Sequence, residues 1–312
     1  MIPGVNGLMM MGHNSTPHHE PVMLAEVLDV LQLRMGDTVV DGTLGLAGHA
    51  IPMLDAVGPL GKLVGLDWDQ EMLALAKDRL WEKYGTQIVL VHADYRSLTS
   101  VVAGLAIRPN AILLDLGLNS AQIEDPERGI AFSKPGPLDM RMDRTRGEPA
   151  SALLNRLSPD EIEEILFHLG DERWARAIAR EIVKRRKDHP LRTTQDLVDA
   201  VLAAVPPGAR DKRINPATRT FQAVRISVNK ELDGLGEAII DAAMSLSDRG
   251  TLAVLSYHSG EDREVKSACR QLAAQGKFDD LYRKPLSASP EEIAMNPRAR
   301  SAKLRAIRRQ AS

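Results

Sequence analysis

Four apolar runs along this chain each lead to an aspartate. Val39-Val40 gives way to Asp41, Val64-Gly65-Leu66 to Asp67, Ile88-Val89-Leu90-Val91 to Asp94 after two residues, and Ile112-Leu113-Leu114 to Asp115. Between the first two stands Gly42-Thr43-Leu44-Gly45-Leu46-Ala47-Gly48-His49, with glycines three apart. Such a turn can take φ > 0 and lets a ligand approach the backbone closely. Carboxylates gathered on one rim would repel an anion. They suit a ligand that carries positive charge and offers hydroxyl and amino hydrogens.

Short apolar runs separated by helix-period segments are the elements that can gather those acids. Strands are expected at Thr38–Asp41, Leu60–Asp67, Ile88–Tyr95, Ala111–Gly117 and Thr251–His258, with helices between them. In an open, doubly wound α/β sheet, ligands bind beyond the carboxyl ends of the strands, where all four aspartates would lie. Asp67 follows the glycine turn by about 20 residues, the place of an acid that meets a ribose diol in dinucleotide-type folds. Asp69 reads as a helix N-cap. S-adenosylmethionine has the required profile: a sulfonium, an ammonium, a ribose diol and an adenine amino group. A nicotinamide dinucleotide carries a pyrophosphate and fits this rim less well, and no clean G-x-G-x-x-G is present.

The 312 residues suffice for about two domains. Hydrophobic residues make up 44% and charged residues 26%, which allows a buried core. The one cysteine, Cys269, excludes an internal disulfide framework and a cysteine-cluster metal centre, and fits a reducing, cytoplasmic setting. No apolar run has the length of a membrane span, and residues 1–16 read as a flexible tail. His18-His19 leads into a helix carrying Leu24, Val27, Leu28 and Leu31, and no metal site is expected there. Net charge is −2, so a nucleic-acid partner would need local basic clusters. These occur at Arg173 to Lys187, Arg210 to Arg225, and Arg298 to Arg309.

After Asp115 the alternation of strand and helix stops. Leu118 to Gly147 has no clean period, and its mixed Met, Arg and Asp are unlike a linker, so an ordered lid is expected. Helices follow. Ser158-Pro159-Asp160-Glu161 is a capping box with Pro at the first helical position, and Gly170 is read as the helix stop. A second helix runs through Trp174, Ile178 and Ile182. A third begins at Thr193 or Thr194, and Pro206-Pro207-Gly208 ends it. The segment 124–214 is thus an inserted lid and all-helical domain, between two α/β halves at 17–123 and 215–312. One long helix is expected from Asn215 to about Leu246, and an edge strand in the basic tail from Asn296 to Arg305.

Taken together, Asp41-Gly42-Thr43, Gly48-His49, Leu114-Asp115-Leu116-Gly117, Gly136 to Asp143, Ala217 to Ile226, His258-Ser259, Glu261-Asp262-Arg263 and Asn296 to Ser301 resemble the bacterial 16S rRNA (cytosine-N4)-methyltransferase family. The likeness runs from about His18 onward. It implies a class I S-adenosylmethionine-dependent methyltransferase fold, a Rossmann-like doubly wound sheet with an inserted all-helical domain. It implies methylation of the exocyclic N4 of a cytidine in the decoding region. The partner would be 16S rRNA or the small ribosomal subunit, with no membrane; a homodimer is left open.

By the same resemblance, cofactor contacts fall on Ala47, Gly48, His49, Asp67, Tyr95, Asp115 and Gln122. The family usually has Gly-Gly-His where Ala47-Gly48-His49 stands, Phe is common at Tyr95, Leu replaces Gly260, and His precedes Pro-Ala-Thr-Arg where this chain has Asn215. For the chemistry, Asp115, Asn119 and His258, in that order, are the expected acceptors of an N4 hydrogen at strand ends. The alternatives are a nicotinamide-dependent oxidoreductase on the same fold and a non-catalytic ribosome-assembly factor.

Overall fold

The computed structural model describes residues 21–211 and 215–311. The tail 1–16, the His18-His19 pair and part of the second basic cluster lie outside them. The chain enters through α1 (Leu24–Leu31), then alternates β1 (Thr38–Asp41), α2 (Ala50–Val57), β2 (Lys62–Asp67), α3 (Gln70–Tyr84), β3 (Ile88–His92), α4 (Leu98–Gly104) and β4 (Ala111–Asp115). Five helices follow without a strand: α5 (Ser120–Glu124), α6 (Ala150–Arg156), α7 (Pro159–Gly170), α8 (Ala175–Arg185) and α9 (Thr194–Ala204). The remainder is α10 (Thr218–Asn229), α11 (Leu235–Ser245), β5 (Thr251–Ser256), α12 (Ser259–Ala274), β6 (Phe278–Asp280), β7 (Leu286–Ser287), α13 (Pro290–Met295) and β8 (Lys303–Arg309).

The strands form one sheet in the order β3-β2-β1-β4-β5-β8-β6, with β7 also on β8. β1 to β5 are parallel, and β8 runs antiparallel to β5. The winding reverses between β1 and β4, which opens a crevice at their carboxyl ends. Helices cover both faces, so the central strands are apolar on both sides. Val39, Leu63, Leu113 and Ala253 pack on one face with α1 and α2. Their neighbours Val40, Val64, Ile112 and Leu252 pack on the other with α4, α11 and α12. Among the described residues no helix is long and apolar enough to cross a membrane.

Helices α6 to α10 build a separate hydrophobic core from Leu138 to Val224, closed by Phe132 edge-on to Phe221 at 5.1 Å. Ser158 and Glu161 form the expected capping box of α7. Gly170 is not the cap: Asp171 takes the left-handed position. Gly170 instead lets α7 approach α10, since a Cβ there would come 2.7 Å from the Arg219 carbonyl.

Two further expectations are corrected. The helix expected from Asn215 to Leu246 is two helices, because Lys230 turns left-handed (φ 50°) and Gly234 follows at φ 66°. The tail's edge strand is an interior strand, β8, while Pro297–Ser301 is a 3-10 turn. On α3 the inner face holds Met72, Ala76, Leu80 and Tyr84, and Leu75 is exposed.

Candidate active site

A cavity of about 310 Å³ opens at the switch between β1 and β4. Its floor is the glycine turn, and the three glycines serve different ends. At Gly42 a Cβ would meet Leu114 and Tyr95, so its absence lets the turn pack on the sheet. Gly45 sits at φ 51° and its N–H donates to Asp67 Oδ2 at 2.7 Å. Gly48 lies against Pro21. Ala47 also has positive φ, 62°, a left-handed backbone that an L side chain adopts at a cost of roughly 1 kcal/mol. It is fully buried and its side chain joins the core, so the neighbours Leu46, Gly48 and His49 line the cavity instead.

Asp67 ends β2 with both carboxylate oxygens engaged, the second accepting the Asp69 N–H at 2.8 Å. Burial raises its pKa to about 6, against the lowering effect of those two backbone bonds. Asp115 ends β4. The Tyr257 hydroxyl donates to its Oδ1 at 2.8 Å, and its Oδ2 lies 3.7 Å from His49 Nδ1. His49 Nε2 faces the Val22 carbonyl at 3.0 Å, so that nitrogen must carry hydrogen. In the neutral ring Nδ1 is then an acceptor, too far from the carboxylate for a hydrogen bond.

The expected ring of four acids is reduced to two. Asp41 is buried under the turn, 2% exposed and bonded to the Thr43 N–H, with its pKa pushed up to about 7 by burial. Asp94 turns away to accept from the Arg96 N–H and to pair with the Arg96 guanidinium. Other carboxylates line the cavity instead, Glu231 and Glu261, brought there by the end of α10 and the start of α12.

Tyr95 lines the cavity, and its hydroxyl reaches the Glu231 carbonyl at 3.5 Å. Gln122 does too, but its amide is held: it completes a capping box with Asn119 and donates to Asp69 Oδ2 at 2.9 Å. Asn119 lines the cavity with its carbonyl oxygen already accepting the Gln122 N–H. Asp69 is the N-cap of α3, as expected, and is also the buried partner of Arg128 at 2.6 Å.

His258 is not on the cavity wall. It caps α12, Nδ1 accepting the Glu261 N–H, with Nε2 3.2 Å from Glu261 Oε1. Glu231, His258 and Glu261 converge within 4.8 Å, as three metal ligands would. The Arg225 guanidinium already engages both oxygens of Glu231, and Glu261 Oε2 accepts the Tyr257 N–H. Arg225 thus supplies a cation to Glu231, while His258 Nε2 is buried without a hydrogen-bond partner.

Sequence reading missed Tyr257, Gly117, Arg225 and Glu231. Tyr257 follows β5 directly, so the rule that located the aspartates applied to it as well. Gly117 leaves room for its ring, since a Cβ there would lie 2.6 Å from Cε2. Arg225 and Glu231 meet only because α10 breaks between them, and no spacing rule foretells that.

The segment expected to form a lid makes several internal and tying hydrogen bonds. Asp139 binds Arg141 through two bonds of 2.7 and 2.9 Å. Asn229 ties the lid to α10, donating to the Met140 carbonyl and accepting the Met142 N–H, each at 2.8 Å. Met142 from this lid lines the cavity.

The lining fits S-adenosylmethionine: the carboxylates of Asp67 and Asp115 stand beside the glycine turn on one cavity. A pyrophosphate is less well served. The arginines on the wall are already bonded, Arg79 to the Leu46 carbonyl, Arg225 to Glu231, and Arg298 to Ser120 and Glu124.

The MraW methylase family is matched by residues 16–310 of the chain. The ribosomal RNA small subunit methyltransferase H of Heliobacterium mobile is 42% identical over 305 residues, covering 92% of this chain and 97% of its own. Its counterpart in Geotalea uraniireducens is 43% identical over 305 residues, covering 93% and 97%. That of Syntrophotalea carbinolica is 45% identical over 307 residues, covering 93% and 98%.

Proposed function

The chain belongs to the MraW methylase family, and from that premise we propose that it methylates the exocyclic N4 of a cytidine in the decoding region of 16S rRNA. It is an rRNA methyltransferase that uses S-adenosylmethionine. The observation that carries the finer reading is the meeting of Asp67 and Asp115 on one cavity at the sheet's switch point. S-adenosylmethionine, when bound, supplies an electrophilic methyl group. The protein's own work is then positioning, which can supply roughly 7–11 kcal/mol of barrier reduction.

In this reading Gly45, Gly48, His49, Asp67, Tyr95 and Gln122 shape the cofactor side, with Asp67 accepting the ribose hydroxyls. Ala47 acts through the backbone of the turn. Asp115 accepts an N4 hydrogen and so localises the amine lone pair as charge develops. Asn119 is second in order. His258, capping α12, supports Tyr257 and Glu261 rather than touching substrate. The segment 124–214 presents the RNA and lays the lid over the cavity. The target base is splayed out of its stack to enter.

Tritiated methyl transfer to assembled small subunits and to bare rRNA, with mapping of the labelled base, tests this function. Label on N4 of one cytidine is expected. Label on another base overturns the proposal, and absence of label with either substrate favours a non-catalytic assembly role.

Asp67 should impose a pH dependence on cofactor affinity. Its ionised form accepts from the cofactor, and its pKa is raised to about 6. Affinity is therefore full above that value and falls as pH falls through it. The groups beside it, Asp69 and His92, perturb it less than burial does. Calorimetry from pH 5 to 8 should show this fall in the wild type. Asp67→Asn should bind about 10- to 100-fold more weakly at pH 8, as expected for loss of a charged acceptor, with a flatter profile. An unchanged wild-type affinity across pH 6 would remove Asp67 from the ribose role.

RNA binding should weaken with salt by a slope of about −0.7 per phosphate contacted on single strands. Much of the basic complement is spent internally: Lys303 and Arg305 on Asp262, Arg186 on the Leu154 and Leu157 carbonyls. The slope should thus correspond to a few phosphates rather than to every basic residue of the clusters. Filter binding at graded salt measures it, and a flat response would move the RNA away from these clusters.

A further inference from the structure

We propose that Arg225, held in place by Glu231, reads the pairing edge of the target base and selects cytosine. This deepens the function proposed above and rests on it. The left-handed turn at Lys230 folds the chain back so that Glu231 meets Arg225, six residues earlier. The contact is a two-bond fork: Nε to Oε1 at 2.9 Å and Nη2 to Oε2 at 2.8 Å. The side chains are 17% and 7% exposed, and both line the cavity.

A buried ion pair is a poor way to gain stability, because desolvating both charges offsets their attraction. An apolar pair would join the end of α10 to the following turn as well. On the wall of a ligand cavity, the same pair offers a rigid, correctly turned guanidinium. Arginine has five N–H donors in a planar fork, and Glu231 engages two of them. The other edge of the guanidinium still carries donors and no acceptor.

Cytosine offers adjacent acceptors at N3 and O2, with the N4 amine beside them as donor. Uracil offers N3–H as a donor in the middle of its edge. A guanidinium therefore matches cytosine and opposes uracil. The wall also connects this group to the chemistry. Tyr257 shares the cavity with Arg225, and its hydroxyl bonds Asp115 at 2.8 Å. Reading N3 and O2 at Arg225 leaves N4 as the part of the edge free to meet Asp115.

The test is a two-by-two comparison in single-turnover methyl transfer. The enzyme is wild type or Arg225→Lys, which keeps the cation and loses the fork. The RNA carries cytidine or 3-deazacytidine at the target. For the wild type, removing N3 should slow transfer by roughly 10- to 100-fold, the effect of one hydrogen bond to a charged group. Arg225→Lys should lose a similar factor on cytidine, then show little further loss on 3-deazacytidine. Its affinity for S-adenosylmethionine should stay at the wild-type value. Full sensitivity to 3-deazacytidine in Arg225→Lys overturns the inference, as does a loss confined to cofactor affinity. If Arg225→Lys does not fold, Glu231→Gln is read the same way: reduced sensitivity supports the inference and full sensitivity overturns it. Wild type that binds cofactor but methylates no cytidine would instead overturn the function on which this rests.

Discussion

Asp115→Asn should lower kcat for methyl transfer by about 100- to 1,000-fold, in the range of losing a positioned proton acceptor. The substitution keeps shape, and the amide oxygen can still accept the Tyr257 hydroxyl. What it removes is the negative charge beside a developing cation. Affinity for S-adenosylmethionine should weaken by no more than about tenfold, because His49, Asp67 and the turn backbone remain. Near-normal kcat in a folded Asp115→Asn protein would exclude the carboxylate from the chemical step. A large loss of cofactor affinity with unchanged kcat would make Asp115 a binding residue only.

Arg128→Ala should be the most destabilising of the single substitutions considered. Arg128 is 1% exposed. It pairs with Asp69 at 2.6 Å and with Glu71 at 2.7 Å, and donates to the Met142 carbonyl at 3.1 Å. Truncation leaves Asp69, itself 2% exposed, as a buried carboxylate without its cation. The expected cost is about 3–5 kcal/mol. Glu71 is 64% exposed on its side chain, so Glu71→Ala should cost under about 1 kcal/mol. Thermal unfolding of the two variants side by side checks the contrast. If they match, the buried pair is not what pins the lid. Arg128→Ala should also raise the protease sensitivity of residues 125–145, since the lid's tie to α3 is lost.

Much of the sheet was readable from sequence because its signals are local. Each parallel strand is an apolar run, the capping box at Ser158 and Glu161 is four consecutive residues, and Asp69 caps α3 as its position suggested. The strand-end rule placed Asp67 and Asp115 on the cavity. The same rule overcounted, since it fixes where a strand ends and not where its last side chain points. Asp41 lies beneath the turn, and Asp94 serves Arg96. Arg225 and Glu231 escaped because the reading ran one helix through them. Lys230 is an ordinary helix former that here turns left-handed, and the glycine of the break, Gly234, stands four residues further on. Asn119 and Gln122 were found as neighbours of the site, but their mutual capping box was not. Arg128 stands in a stretch without a clean period, and nothing local marked it as buried.

The strand β8 has a consequence for biosynthesis. Lys303–Arg309 is translated after every other described strand, yet it lies inside the sheet between β5 and β6. Until it leaves the ribosome, Thr251–Ser256, wholly buried in the finished sheet, presents an unpaired margin, the kind that recruits other chains. Tyr257 continues directly from that margin, so the wall facing Asp115 cannot settle in a nascent chain. An enzyme that acts on ribosomal RNA would thereby gain its competence only once Lys303–Arg309 has left the ribosome that makes it.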